Sequence, residues 1–132
     1  MKLLSTMLLL FISLNVLASE VSIKFAKFEQ QANTWKIAVT LEHPDTGWDH
    51  YANAWRVLDT EGNELAKRVL VHPHVNEQPF TRKLDFAKLP DDIEHVLVEA
   101  SDTVHGWSSD RLKVDLTSKS GDRYSVKKQS SD

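Results

Sequence analysis

Five of the six histidines in this 132-residue chain lie in three short segments that are rich in turn-forming residues. The segments are EHPDTGWDHY, VHPHVNEQPF and SDTVHGWSSD, and their histidines are His43, His50, His72, His74 and His105. Neutral imidazole is a good ligand for zinc, copper and nickel, and nearby carboxylates can complete the coordination shell. The residue types therefore predict a divalent transition-metal site, with zinc or copper(II) as the metal.

The spacing within VHPHVNEQPF supports the same chemistry. His72 and His74 are two residues apart, so in an extended segment both side chains point to the same side, as paired ligands require. Glu77 follows three residues later and completes the predicted ligand set of five histidines and one glutamate. The alternative is that histidines in rigid loops cap turns and hydrogen-bond to backbone carbonyls, without any metal.

Two tryptophans occupy the same segments, and each follows a glycine. Trp48 and Trp107 predict an aromatic platform for a sugar, a peptide or a partner protein, with Asp49 and Asp102 beside them. The alternative is that both rings close the open end of the hydrophobic core. The same aspartates, together with Asp45, are also candidates to complete a metal shell.

Composition excludes several classes of function. The chain has no cysteine, which excludes disulfides, thiolate ligands, a cysteine nucleophile and a lipid-modified cysteine within this sequence. The net charge is −3 and no basic patch is present, so we expect no nucleic-acid partner. Both methionines lie within residues 1–18, which disfavours copper(I), because copper(I) prefers soft sulfur ligands.

The first 18 residues have the pattern of a secretory signal peptide. One lysine precedes an apolar run, and small residues follow near position 18. The run is short for a bilayer span and no second one follows, so we expect cleavage near Ser19 or Glu20, no stable membrane anchor, and a periplasmic or secreted protein. Removing this segment takes away Lys2 and changes the net charge from −3 to about −4.

Residues 19–117 alternate apolar and polar side chains with the period of half-buried strands. Seven strands are predicted, at residues 21–25, 35–41, 51–58, 65–71, 80–86, 93–100 and 111–116. Residues 118–132 are polar and predict a disordered tail, with a short final strand around Tyr124 as the alternative. The sequence therefore predicts one all-β domain.

Two stretches resemble immunoglobulin-like and fibronectin type III-like domains. YANAWRVLDTEGNE is similar to a strand with its core tryptophan and the following hairpin, and HVLVEASDTVHGWSS is similar to a late strand and the loop after it. The resemblance implies an antiparallel sandwich of about seven strands and no particular activity. Because antiparallel neighbours reverse at every turn, alternate connections share one end, which here is the loop pole (residues 42–51, 71–80 and 101–110).

The sequence thus favours an exported binding domain, monomeric or weakly dimeric, whose loop pole binds a divalent metal. A metal-free module that uses the same loops to bind a ligand or another exported protein is the second hypothesis. A metal-dependent enzyme, with Glu77 as general base, is the third.

Overall fold

The computed structural model describes residues 20–130 and contains nine strands and no helix in that range. The predicted signal peptide lies outside the described residues. The strands are β1 (Ser22–Gln31), β2 (Thr34–Glu42), β3 (Ala52–Leu58), β4 (Glu64–Val69), β5 (Phe80–Ala87), β6 (His95–Asp102), β7 (Gly106–Asp115), β8 (Ser120–Gly121) and β9 (Tyr124–Lys127). Within the described range, no helix suited to crossing a membrane is found.

The strands form two sheets, which confirms the predicted all-β sandwich class. One sheet has the order β5-β2-β1-β9-β8 and the other the order β4-β3-β6-β7. All pairings are antiparallel except that of β1 with β9. The core lies between the sheets: β2 buries the alternate side chains of Trp35, Ile37, Val39 and Leu41, and Trp55 of β3 is fully buried.

Nine strands replace the predicted seven, and the difference lies at the C-terminus. The prediction of a disordered tail is wrong for the described part of residues 118–132, where β8 and β9 form and β9 pairs with residues 26–29 of β1. Tyr124 and Val126 alternate and are buried, so even two apolar side chains suffice to cover the edge of the core. Arg123 secures the segment through bonds to the Asp110 carboxylate and the Ile23 carbonyl.

β7 begins earlier than predicted. Residues 101–110 are expected as a loop, but β6 extends to Asp102 and β7 starts at Gly106, so residues 103–105 form a tight turn. Gly106 closes that turn with a φ of 72°, a backbone region that other residues rarely adopt. Trp107 therefore lies on a strand and not in a loop.

The three segments of the loop pole meet, as the strand count predicts. The His74 backbone N–H donates to the Asp45 carboxylate at 2.8 Å, which joins the β4–β5 connection to the β2–β3 connection. The Thr103 backbone N–H donates to the Tyr51 carbonyl at 3.0 Å, which joins the β6–β7 turn to the same β2–β3 connection. Side chains from three separate stretches of sequence are thereby brought to one end of the sandwich.

The role of β9 can be tested with a pair of substitutions. Val126→Asp places a carboxylate in a buried position and should lower the free energy of unfolding by about 3 kcal/mol, whereas Lys128→Asp changes an exposed side chain and should cost about 0.5 kcal/mol or less. Denaturant unfolding measures both values. Equal, small effects of the two substitutions would show that residues 124–127 do not pack on the core.

Candidate metal centre

His43 follows the last residue of β2 and is held in a fixed orientation by Asp45. Its Nδ1 lies 2.6 Å from Asp45 Oδ1, and both side chains are fully buried. An ionised carboxylate only accepts hydrogen bonds, so Nδ1 of His43 carries the proton and donates it. In the neutral ring this leaves the lone pair on Nε2, which is the state of an imidazole that binds a metal.

Asp45 is itself fixed by two backbone donors. Its Oδ1 also accepts from Ala52 N–H at 2.9 Å, and its Oδ2 accepts from His74 N–H at 2.8 Å. The carboxylate therefore connects the end of β2, the start of β3 and the β4–β5 connection. The orientation of His43 is accordingly determined by the backbone of the fold and not by one flexible contact.

His50 brings a second imidazole to the same point. It closes a small bridge with Gly47, whose φ of 146° only glycine adopts readily. His50 Nε2 lies 3.2 Å from His43 Nε2 and 3.1 Å from Asp102 Oδ1, with its side chain 22% exposed. Two ring nitrogens and a carboxylate oxygen therefore converge.

Asp102, at the end of β6, is a fully buried carboxylate. Burial raises the pKa of Asp102, but hydrogen bonds from the backbone N–H groups of His105 and Val104 and from the His105 ring lower it more, so that the pKa lies below its ordinary value. Both backbone bonds measure 2.8 Å. The carboxylate is therefore held ionised, which is the form that binds a metal.

The three side chains form a candidate ligand set for a metal ion. Among the described residues, His43, His50 and Asp102 each offer one ligand atom, and these atoms all lie within 4.8 Å of one another. With zinc–nitrogen distances of about 2.0–2.1 Å, neighbouring ligand atoms of a tetrahedral site lie about 3.3 Å apart. The observed 3.2 Å and 3.1 Å are close to that edge length.

The turn between β6 and β7 is fastened to the segment that carries His50. Thr103 Oγ1 accepts from Tyr51 N–H at 3.2 Å and lies 3.1 Å from the Asp49 carbonyl, to which it donates. Together with the backbone bond from Thr103 to Tyr51, these contacts hold Asp102 opposite His50. These contacts between the two segments therefore fix the positions of His50 and Asp102 relative to each other.

His105 lies next to these three residues, on the side of the cluster that is partly exposed to solvent. Its Nδ1 lies 3.0 Å from both oxygens of Asp102, and its ring centroid lies 5.1 Å from that of His50. The side chain is 21% exposed. His105 therefore touches a member of the ligand set without being one of its three members.

His72 and His74 lie beside each other but outside this ligand set. Their ring centroids are 4.6 Å apart, and His72 is exposed whereas His74 is buried. His74 stacks on Phe80 at 4.0 Å, and Arg82 donates to its Nε2 at 2.7 Å. Because a guanidinium occupies that nitrogen, His74 in this arrangement packs and hydrogen-bonds rather than offering Nε2 to a metal.

Glu77 and Asp49 are not brought to the ligand set either. The Glu77 side chain is 60% exposed and lies 3.5 Å from Arg82. Asp49 is exposed, and its carbonyl, not its carboxylate, makes the contact with Thr103. Glu77 therefore has no position beside the three ligand atoms from which to act as a general base.

The two tryptophans do not form one platform. Trp48 is 68% exposed and packs edge-to-face on Tyr51 at 5.7 Å, within the loop pole. Trp107 lies on β7, where the Arg56 guanidinium stacks on its ring at 3.8 Å from the ring centroid. The two tryptophans that were predicted to form one platform therefore lie in different environments, because β7 starts before Trp107.

Sequence reasoning assigned another role to one residue that holds the site together and missed two more. Asp45 is a candidate ligand by residue type, but its observed role is to orient His43. Thr103 fastens the β6–β7 turn, and Gln78 links two segments by accepting from His43 N–H at 3.0 Å and donating to the His74 carbonyl at 2.9 Å. The role of Asp45 could have been suggested by its place two residues after a histidine, whereas no sequence motif marks Thr103 or Gln78.

Comparisons with known proteins give one informative match. No family model matches the chain, and no solved structure matches it significantly, so the immunoglobulin-like resemblance stays a prediction. A protein of Halomicrobium mukohataei described as "Putative lipoprotein" is 36% identical over 83 residues, which is 63% of this chain. The match covers 40% of that protein, so this chain spans about two fifths of its relative's length.

The buried state of His74 predicts a pH dependence of stability. Burial lowers the pKa of His74 below 6.5, and the charge of Arg82 lowers it further, followed by a smaller effect of His72. Glu77 and Asp45 act in the opposite direction but do not reverse the shift. As pH falls through about 6.5, the unfolded chain binds a proton at this histidine before the folded chain does, so this contribution to stability is lost in mild acid.

Denaturant unfolding at about pH 7.5 and pH 5.5 tests this. We expect His74→Gln, whose amide oxygen still accepts from Arg82, to show a smaller loss of stability between these pH values than the unsubstituted protein. His72→Gln removes an exposed imidazole that has only a smaller effect on the pKa of His74, so it should change the pH dependence less than His74→Gln does. An unchanged pH dependence in His74→Gln would contradict the assignment.

Proposed function

We propose that this chain is an exported domain that binds one divalent transition-metal ion, zinc or copper(II), through His43, His50 and Asp102. The observation that carries the proposal is the convergence of two imidazole nitrogens and one carboxylate oxygen within 4.8 Å at the loop pole. Two imidazoles and a carboxylate suit both metals. The absence of cysteine from the sequence favours them over ions that prefer sulfur.

Charge balance supports the binding of a cation. Asp45 and Asp102 are both fully buried, and in the described part of the chain the side chains within ion-pair distance of them are imidazoles, which are charged only when protonated. Buried carboxylates are costly unless a positive charge or hydrogen-bond donors compensate them. A divalent cation between His43, His50 and Asp102 supplies that charge, whereas neutral imidazoles supply only hydrogen bonds.

The orientation of His43 supports a metal ligand in particular. Ligand histidines almost always donate their second ring N–H to a carboxylate or carbonyl, which fixes the tautomer and directs the other nitrogen at the metal. The bond from His43 Nδ1 to Asp45 has this arrangement. His50 Nε2 lies within hydrogen-bond distance of both His43 Nε2 and Asp102 Oδ1, so an ion bound at this point would replace those hydrogen bonds, and the neutral His50 ring would bind it through Nε2 with its proton on Nδ1.

Export is proposed from two features. The first 18 residues have the pattern of a signal peptide, and the similar protein of Halomicrobium mukohataei is described as "Putative lipoprotein". We propose a periplasmic or secreted location for this chain. Binding, for storage or delivery of the ion or for fixing the loops, fits the site better than catalysis, because Glu77 is exposed beside Arg82 and is not part of the group formed by His43, His50 and Asp102.

Metal titration tests the proposal. The mature chain, purified without a His-tag, should bind one equivalent of zinc or copper(II) with a Kd below about 1 μM, and binding should release protons. Removing a residue that only orients a ligand weakens metal binding by roughly 10–100-fold. His50→Ala removes a proposed ligand itself, so it should weaken binding by more than that. Elemental analysis and competition with a chelator measure both quantities.

His72→Ala is the matched control, because it removes a histidine of the same pole that lies outside the ligand set. Its affinity should equal that of the unsubstituted protein. The proposal fails if no metal binds more tightly than micromolar, or if His72→Ala and His50→Ala weaken binding equally.

A metal-free interaction module is the second candidate, and exposed apolar side chains at the loop pole favour it. Trp48, Val71, Val75 and Val104 are each more than half exposed. Exposed apolar groups gathered at one site often mark a surface that contacts another protein. The partner would be another exported protein.

If the domain binds a partner without a metal, it should still capture that partner in the presence of a strong chelator. Immobilised protein should retain the same exported protein with and without a strong chelator, and Trp48→Ala should abolish retention. Phe25→Ala, which alters an exposed aromatic on β1, is the control. Retention that is lost on chelation, or that is unaffected by Trp48→Ala, would count against a metal-free module.

A further inference from the structure

The three ligand atoms leave one position of a tetrahedral metal shell unfilled, and His105 is the imidazole beside it. Structural zinc sites are almost always four-coordinate, with all ligands from the protein. His105 contacts Asp102 through Nδ1 at 3.0 Å, and its ring lies 5.1 Å from that of His50 between centroids. A donor of the right chemical type is therefore adjacent to the ligand set.

More hydrogen-bond donors lie near Asp102 Oδ1 than this oxygen can accept from, and a metal bound there would take the place of some of them. Four nitrogens lie within 3.1 Å of it: the backbone nitrogens of Val104 and His105, the ring Nδ1 of His105 and the ring Nε2 of His50. A carboxylate oxygen offers about two lone pairs. A metal ion bound to Oδ1 must displace donors, and the side-chain donors can leave while the backbone donors cannot.

The His105 ring is held by fewer partners than the ring of His50, which contacts both His43 and Asp102. The hydrogen bonds that the structure gives the His105 ring go to Asp102 through Nδ1, while the His43 ring is fixed by Asp45. The His105 backbone is fixed by the bond from its N–H to Asp102. Rotation about its side-chain torsions can therefore redirect the ring without rearranging the turn.

We propose that His105 is the fourth ligand of this metal site and the ligand that detaches when the ion enters or leaves. The proposal rests on the metal-binding function proposed above. In the metal-free protein the His105 ring binds Asp102, and on loading it exchanges this hydrogen bond for the ion. His105 and His50 are 21% and 22% exposed while His43 and Asp102 are fully buried, so the ion passes on the side of the two exposed rings.

Copper(II) provides a direct count of the imidazole ligands. Pulsed electron paramagnetic resonance of the copper(II)-loaded mature chain should detect three coordinated imidazoles, from His43, His50 and His105. His105→Ala and His105→Asn should each show two. The asparagine variant is the informative control, because its amide can still donate to Asp102 but is a poor ligand for copper(II).

Release of the ion to excess chelator gives a second readout. The release rate should rise by about tenfold or more in both variants, since each loses a ligand. Two imidazoles in the unsubstituted protein, or a release rate that His105→Asn restores to the original value, would show that His105 only positions Asp102 and would overturn the proposal. Failure of the unsubstituted protein to bind copper(II) or zinc would instead overturn the metal-binding function itself.

Discussion

The carboxylate of Asp45 is the contact on which the organisation of the loop pole depends. It accepts from the His43 ring, from the first residue of β3 and from the backbone of His74, so it joins two connections that are about thirty residues apart in sequence. A buried carboxylate needs such donors to remain ionised without a large free-energy cost. The same bonds that stabilise Asp45 direct the free nitrogen of His43 towards His50 and Asp102, so the packing of the loops and the geometry of the site have one common cause.

Burial of two carboxylates at one end of the sandwich is also what gives the site its chemistry. In water, Asp45 and Asp102 would attract cations only weakly, but charge interactions are stronger in the less polar interior. The β6–β7 turn directs two backbone N–H groups at Asp102, which keeps it ionised at neutral pH. Whereas Asp102 is held in its charged form, His74 is held in its neutral form, because burial and the neighbouring charge of Arg82 both disfavour protonation of its ring. The pole thus contains two different environments: the cluster of His43, His50 and Asp102, which is proposed to bind a cation, and a histidine that packs against an arginine.

Much of this arrangement can be predicted from sequence, and the parts that cannot have identifiable causes. Alternating residues such as Trp35, Ile37 and Val39 predict β2, and antiparallel reversal predicts that the three histidine-bearing segments share one end. Tyr124 and Val126 are too few to distinguish a strand from a tail, because their burial depends on the open edge of β1. Likewise, HPH spacing suggests a ligand pair in His72 and His74, but Arg82, eight residues after His74, occupies that nitrogen. Local spacing identifies candidate residues, whereas long-range contacts decide which of them meet.

The most direct test of the central claim is X-ray absorption at the zinc edge of the zinc-loaded mature chain. The account predicts a shell of nitrogen and oxygen ligands at about 2.0–2.1 Å, with the outer-shell scattering of at least two imidazoles. Replacing both His43 and His50 by alanine should remove the scattering of those two imidazoles. A spectrum of hydrated zinc without imidazole scattering, or one that the double substitution leaves unchanged, would contradict the account.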